Sequence, residues 1–353
     1  MATTEQLSEP LTEVLIPFFP NDVALNILAR VPRQYHPVLS AVSKPIRSAV
    51  FSPHFFAVRS LLNATESILY LQVGSMCHSH DHWFAVHRNP NPIHNNLLQL
   101  APVPRIPTET GIRGSAYAAV GPKIYVLGGC TDSEGDEPSS EVWVLDCRSH
   151  TWERGPSMRF PRYNAEAIAV DGEVYVVGGF PAMPWVEVLD PTVGRWEAIP
   201  IPSPSPDTTE AYFYALELVD GKISFMFLGN EDDKQFRLDP TTKTWEVLLD
   251  DKPYKRGICV VDGVSYRLLH GMKFERFDKR VGMWKELKHV EQGKPKYLWG
   301  PKLLNLKGRL VMVFEEVTND SEMGNKIGLW SVEINLLVGF VVSTGELLQD
   351  EVL

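Results

Sequence analysis

The sequence predicts a mainly β protein preceded by a small helical module at its N-terminus. After about residue 66, a unit made of an apolar run, a tight turn and a second apolar run recurs five times. Four tryptophans follow the middle copies at intervals of 39 to 49 residues. The first sixty residues instead place apolar side chains three and four positions apart, which is the spacing of an amphipathic helix.

Composition limits the classes of function that fit. The 353 residues are 44% hydrophobic and 22% charged, which suits one or two globular domains. The formal net charge of −10 argues against a nucleic-acid-binding surface, since such surfaces depend on Lys and Arg. The four scattered cysteines fit free thiols in a reducing compartment. We find no membrane-spanning apolar stretch and no signal peptide, and we expect a cytoplasmic and/or nuclear protein.

Three short helices are predicted in about the first sixty residues. Asn21 or Asp22 can cap the first helix, whose side chains Ala24, Ile27, Leu28 and Val31 form one stripe before Pro32. A second helix is expected over residues 36–43, with Pro45 interrupting near its end, and a third over residues 51–62. Three helices of this length make a small core, which gains stability from a partner or from a neighbouring domain.

These residues resemble the F-box. The matching elements are Ile16-Pro17, Pro20-Asn21-Asp22, the segment from Ile27 to Pro32, and Val42-Ser43-Lys44, whereas Pro45-Ile46 departs from the motif. The resemblance implies binding to a Skp adaptor and, through it, to a cullin. The residues it assigns to that contact are Ile16, Pro17, Asp22, Ile27, Leu28, Val31, Pro32 and Val42. A generic helical cap on a β domain is the alternative.

The rest of the chain is built from hairpin repeats. Asp-Gly pairs such as Asp171-Gly172, Asp220-Gly221 and Asp262-Gly263 separate apolar runs, and this is a strong hairpin signal because both turn positions need a positive φ. The second half of each unit holds an Asp, a short turn and a Trp. Two hairpins per unit make a four-stranded sheet, and a period of about 40–50 residues indicates the blades of a β-propeller.

The repeats resemble kelch repeats. Gly128-Gly129 with Tyr125, Asp146 and Trp152 match the pattern, as do Gly178-Gly179 with Tyr175, Asp190 and Trp196. We count six blades, with five or seven as alternatives. The first unit has no obvious opening strand, and a C-terminal strand within residues 346–353 is expected to complete it. The predicted domains are a flexible N-terminus (1–11), an F-box (12–57), a linker (58–65) and a kelch propeller (66–353).

Loops carry recognition in propellers, and the resemblance places a target-binding face on the loops at 159–163, 180–185, 230–234, 254–256 and 297–299. Exposed aromatic and Arg side chains are the usual anchors of interfaces. We therefore predict target contacts from Arg113, Arg162, Tyr163, Trp185, Arg256 and Trp299. The alternative for each residue is that it packs its own loop. The acidic segment 130–140 is expected to be a solvated loop that could attract a basic target.

Catalytic chemistry finds little support. Residues 77–82 read Cys-His-Ser-His-Asp-His, but a structural zinc site needs four convergent ligands, and we expect a polar loop. Nucleotide-binding and hydrolase motifs do not stand out. We expect no cofactor, no metal and no catalytic residue. The predicted function is a non-catalytic, substrate-recognition subunit of a Skp–cullin–F-box ubiquitin ligase. The alternatives are a non-degradative scaffold, and a propeller enzyme or small-molecule sensor.

Overall fold

The structure is a computed structural model, and it describes most but not all of the chain. The described residues are 13–73, 82–88, 98–108, 113–130, 137–180, 185–200, 212–228, 234–249, 255–269, 273–287, 298–305, 309–320, 324–334 and 341–348. They divide into two compact units. The first unit falls in residues 1–68 together with 147–150, and the second falls in residues 69–146 together with 151–353. Each unit is described by itself.

The first unit contains four α-helices and a 3₁₀ turn. Their bounds are α1 (Asn21–Ala29), the 3₁₀ turn (Arg33–Tyr35), α2 (His36–Val42), α3 (Lys44–Val50) and α4 (Pro53–Leu61). The prediction of three helices is therefore wrong. Pro45 does not interrupt a helix but stands in the first turn of α3, where a missing N–H costs nothing. Ser43 and Ser52 cap α3 and α4, accepting hydrogen bonds from the backbone N–H of Ile46 and Phe55.

The helical core is centred on one face of α1. Ala24, Leu25, Leu28 and Ala29 are buried there. Helices α3 and α4 contribute Ile46, Ala49, Val50 and Phe55 to the same cluster. The predicted stripe is correct for Ala24 and Leu28 but wrong for Ile27, which is 45% exposed.

The second unit is a series of antiparallel sheets numbered in chain order. Sheet 1 contains β1 (Leu69–Val73), β2 (His82–Arg88) and β3 (Leu98–Val103). Sheet 2 contains β4 (Ala116–Val120), β5 (Lys123–Leu127), β6 (Val142–Asp146) and β7 (Thr151–Arg154). Sheet 3 contains β8 (Tyr163–Val170), β9 (Glu173–Phe180), β10 (Val186–Asp190) and β11 (Arg195–Ile199).

The remaining sheets repeat the four-stranded pattern. Sheet 4 contains β12 (Tyr212–Val219), β13 (Lys222–Leu228), β14 (Lys234–Leu238) and β15 (Trp245–Leu249). Sheet 5 contains β16 (Lys255–Val261), β17 (Val264–Leu269), β18 (Lys273–Asp278) and β19 (Met283–Glu286). Sheet 6 contains β20 (Leu298–Asn305), β21 (Leu310–Asp320), β22 (Gly324–Ile334) and β23 (Val341–Leu348).

The fold is thus mainly β, a propeller with a helical module, as predicted. The predicted count of six blades is corrected to five four-stranded blades. A sixth sheet, sheet 1, has three strands among the described residues. The prediction of a closing C-terminal strand is wrong for residues 346–348. They belong to β23, which pairs with β22 in sheet 6 instead of completing sheet 1. Residues 349–353 lie outside the described part of the chain.

The hairpin turns form as the sequence predicts. Asp171, Asp220 and Asp262 have φ values of 51°, 50° and 49°, and the glycine after each also has a positive φ. A second turn recurs where the third strand of a sheet meets the fourth. There Asp190 and Asp239 accept backbone N–H bonds from Thr192 and Thr241, both two residues further along the chain. These side-chain bonds fix the tight turn locally.

Tryptophans tie successive sheets together. The indole N–H of Trp152, Trp196 and Trp245 donates to the backbone oxygen of Pro104, Pro156 and Pro200, over 2.7, 2.8 and 2.8 Å respectively. Each donor lies in the fourth strand of its sheet, and each acceptor follows the last strand of the preceding sheet. Pro104 follows β3, so β3 corresponds to the fourth strand of a four-stranded sheet. Among its described residues, sheet 1 therefore lacks a first strand.

Apolar cores lie between neighbouring sheets. One cluster joins Leu127 and Val144 of sheet 2 to Val176 and Trp196 of sheet 3. Another joins Tyr175 and Val188 of sheet 3 to Phe225 and Phe236 of sheet 4, and a third joins sheets 5 and 6.

Within the described part of the chain, every helix is too short or too polar to cross a membrane.

Candidate interaction surfaces

The helical unit exposes more large apolar side chains than its size suggests. Ten of the seventeen exposed large hydrophobic residues of the described chain lie within residues 13–68. They are Val14, Phe18, Phe19, Val23, Ile27, Tyr35, Val38, Val42, Phe51 and Leu61. Apolar residues collected on one small unit indicate an interaction site, whereas scattered single ones are ordinary.

Six of these ten exposed residues lie in two regularly spaced rows, one on or next to α1 and one on or next to α2. Phe19, Val23 and Ile27 are spaced four residues apart at and within α1, and we call them the α1 stripe. Tyr35, Val38 and Val42 are spaced three and four apart at and within α2, and we call them the α2 stripe. Their side chains are 40–48% exposed in the α1 stripe and 42–65% exposed in the α2 stripe. Each stripe has the spacing of one helix face.

The residues predicted to bind an adaptor divide by exposure. Pro17, Asp22, Ile27, Pro32 and Val42 are exposed, and Ile16 and Val31 are half-buried. Leu28 is only 5% exposed and packs in the helical core, so it cannot contact a partner directly. Adaptor binding by the exposed residues stays a prediction.

Arg59 of α4 holds the end of α1 in place. Its Nη1 donates to the backbone oxygens of Ala29 and Val31 at 2.8 and 2.6 Å, and its Nη2 donates to the Glu66 carboxylate at 3.0 Å. His36, at the start of α2, lies against this guanidinium with 3.4 Å between Nη1 and Nε2. Sequence reasoning missed this cluster, because its hydrogen-bonded residues are up to thirty positions apart and match no motif.

Burial and the neighbouring cation make His36 a poor base. Removal from water lowers the pKa of its imidazole to about 4, and Arg59 adds to that effect. The ring is therefore neutral at physiological pH. It can then accept a hydrogen bond, or donate one to the Val31 oxygen 3.2 Å away, without adding a second buried charge.

The residues predicted to bind a target separate in the same way. Arg113 is exposed and Tyr163 is half-buried. Arg162 and Trp185 are only 1% and 0% exposed, so the prediction that they are exposed anchors is wrong. Arg256 and Trp299 lie in β16 and β20, and their side chains are outside the described part of the structure.

Arg162 is buried because it has partners inside sheet 3. Its Nε donates to Oε2 of Glu187 at 3.1 Å, and its Nη1 donates to the Gly178 oxygen at 2.5 Å. The other carboxylate oxygen of Glu187 accepts the backbone N–H of Arg159 at 3.1 Å. Burial lowers the pKa of Arg162, and the Glu187 charge opposes that shift. The pair organises the segment that leads into β8.

Part of the predicted target face lies outside the described residues, namely residues 181–184, 230–233, 254 and 297. The acidic residues 131–136 and the Cys-His segment 77–81 also lie outside them. Among the residues that the structure does describe, no group of three His, Cys, Asp or Glu side chains could hold a metal ion.

Comparison with known proteins gives matches to both units. Residues 16–57 match the family model of the F-box domain, and residues 83–338 match the model described as FKB95, Kelch-repeats domain. The chain is 35% identical to the F-box/kelch-repeat protein At4g39590 of Arabidopsis thaliana over 321 residues, covering 84% of this chain and 77% of that protein. It is 32% identical to the F-box/kelch-repeat protein At4g39550 of the same plant over 343 residues, covering 90% and 84%.

Proposed function

Because this chain belongs to the F-box/kelch-repeat family, we propose that it is the substrate-recognition subunit of a Skp–cullin–F-box ubiquitin ligase. The helical unit binds the Skp adaptor, and the propeller binds a target protein. No residue of this chain takes part in covalent chemistry in this proposal. The complex acts by holding a target lysine near the charged conjugating enzyme, which raises its effective concentration. We place this activity in the cytoplasm and/or the nucleus.

The exposed α1 and α2 stripes are the observation that carries the proposal. Six large apolar side chains on two short helices face solvent, while the opposite face of α1 forms the helical core. Leaving such surface in water is unfavourable, and burial against a partner recovers about 25 cal/mol for each Å² covered. An adaptor with a complementary apolar surface fits this pattern.

Adaptor binding is tested by calorimetric titration of the full-length chain with a purified Skp adaptor. Ile27→Glu and Val38→Glu each place a charge in a stripe, and we expect either change to weaken binding at least about a hundredfold, near the larger single-residue effects at interfaces. The matched control is Val193→Glu, which changes a valine that is 70% exposed in the propeller. Full binding by both stripe variants, with wild-type binding observed, would remove the stripes from the interface.

The ligase role is tested separately from adaptor binding. Proteins that co-purify with the chain are compared with and without proteasome inhibition, and their ubiquitination is compared after deletion of residues 1–60. We expect a target that accumulates on inhibition and loses ubiquitination on deletion. A bound target whose ubiquitination is unchanged by the deletion would favour a non-degradative scaffold.

A further inference from the structure

A tight turn immediately before α1 holds an aromatic residue in a glycine conformation. The backbone N–H of Phe19 donates to the oxygen of Ile16 at 3.2 Å, which closes a four-residue turn. Pro17 takes the second position, and Phe18, in the third, has a φ of 68°. A proline followed by a positive φ is the pattern of a type II turn, whose third position normally requires Gly or Asn.

Phe18 is strained in this position. A side chain with a Cβ in the left-handed region costs about 1–2 kcal/mol relative to ordinary backbone. The turn is fixed from outside by Asn21, whose Oδ1 accepts the N–H of Leu15 at 3.0 Å and whose Nδ2 donates to the oxygen of Glu13 at 2.9 Å. The first turn of α1 therefore clamps the segment and keeps Phe18 in the unfavourable conformation.

Among the described residues, the phenyl ring receives no packing that would offset this cost. Its relative exposure is 102%, the highest of the exposed large hydrophobic residues in the described chain. A buried aromatic ring removes a large apolar area from water, and here that gain is absent in the free protein. Backbone strain that the surroundings maintain is concentrated at functional sites, where it preorganises a contact.

We propose that Phe18 is a preorganised anchor that inserts into an apolar pocket of the Skp adaptor. This inference rests on the proposed function and adds a specific contact to it. Phe18 immediately precedes Phe19, the first member of the α1 stripe, and both side chains are exposed. Because the turn already fixes the backbone, little backbone entropy is lost when the ring is bound.

The test separates strain from binding in the full-length chain. Phe18→Asn removes the ring and supplies a residue that tolerates positive φ. We expect its melting temperature to be at least about 2 °C above wild type and its affinity for the adaptor to be about thirtyfold lower or weaker. Phe18→Trp keeps an aromatic ring, and we expect its affinity to stay within about threefold of wild type. Met283→Ala removes an apolar side chain that is 62% exposed in β19, outside the helical unit, and serves as the control.

The outcomes are distinguishable. If wild type binds and Phe18→Asn binds within about threefold of it, the anchor is overturned while adaptor binding stands. An equal loss for Met283→Ala and Phe18→Asn would also overturn it, since the loss of any exposed apolar side chain would then suffice. If wild type itself does not bind the adaptor, both the anchor and the proposed function fail. Higher stability with lower affinity for Phe18→Asn, and retained affinity for the control, supports the anchor.

Discussion

Arg162 and Glu187 form an ion pair in the interior of sheet 3, with Nε and Oε2 3.1 Å apart and both side chains at most 1% exposed. Glu187→Gln would leave the guanidinium without a counter-charge and would place an amide near the N–H of Arg159. Removing one member of a buried pair is strongly destabilising. We expect the free energy of unfolding in urea to fall by about 3 kcal/mol.

The chain offers a matched control for that measurement. Arg154 and Glu141 have the same 3.1 Å separation, but their side chains are 67% and 38% exposed. Glu141→Gln should change the free energy of unfolding by less than about 1 kcal/mol, because solvent screens an exposed pair. Similar losses for the two variants would show that burial does not decide the contribution of the Arg162 pair.

The indole bonds between sheets are tested by Trp196→Phe. This change keeps an aromatic ring but removes the N–H that donates to Pro156. The Pro156 oxygen then loses a partner, and we expect the free energy of unfolding to fall by about 1–2 kcal/mol. Trp83→Phe is the control, since Trp83 is 3% exposed and its Nε1 has no partner within the described chain. The hydrogen-bond explanation requires the Trp196 variant to lose more.

Alanine substitutions at two glycines with positive φ distinguish the cost of backbone strain from the cost of steric crowding. Gly172 has a φ of 88° and open space where a Cβ would stand, whereas a Cβ on Gly128 would lie 2.3 Å from the Arg162 oxygen. We expect Gly172→Ala to lower the free energy of unfolding by about 1 kcal/mol. Gly128→Ala should cost at least about 2 kcal/mol more, because the backbone next to Arg162 must move. Equal losses in thermal or urea unfolding would contradict the close approach.

Burial of His36 should make the folded chain less stable in acid. Its pKa is lowered from about 6.5 to about 4 in the folded chain, chiefly by burial, so below pH 6.5 the unfolded chain binds a proton that the folded chain does not. The free energy of unfolding should therefore fall between pH 6.5 and 4, by roughly 3 kcal/mol in total. His36→Gln removes this contribution. The difference between wild type and variant, measured at pH 7, 6 and 5, should shrink or reverse as pH falls, and a constant difference would contradict the lowered pKa.

The sequence predicts those parts of the fold that depend on neighbouring residues. Asp171-Gly172 specifies its own turn, because both residues tolerate a positive φ. Pro45 shows where the same local reasoning was wrong, since proline ends a helix from inside but begins one from its first turn. The sequence indicated that the first unit has no opening strand, but the segment expected to complete it was wrong for residues 346–348, because strand pairing depends on which distant segments meet.

The candidate surfaces were harder to predict than the fold. Ile27 and Leu28 are adjacent apolar residues of one motif, yet one faces solvent and the other the core. The helical pattern allowed either orientation until α3 and α4 fixed the buried face. Arg162 was expected to be exposed because charged residues usually are, and its burial depends on partners such as Glu187, 25 positions further along the chain.

The indole-to-proline bonds all point backward along the chain, with each donor 40 to 48 residues after its acceptor. During synthesis the acceptor therefore leaves the ribosome first, and each new sheet meets strands of its predecessor that have already been synthesised. The three contacts can close in order, without waiting for any later segment. Assembly of these sheets can thus keep pace with translation, which shortens the time that apolar strand surfaces are open to aggregation.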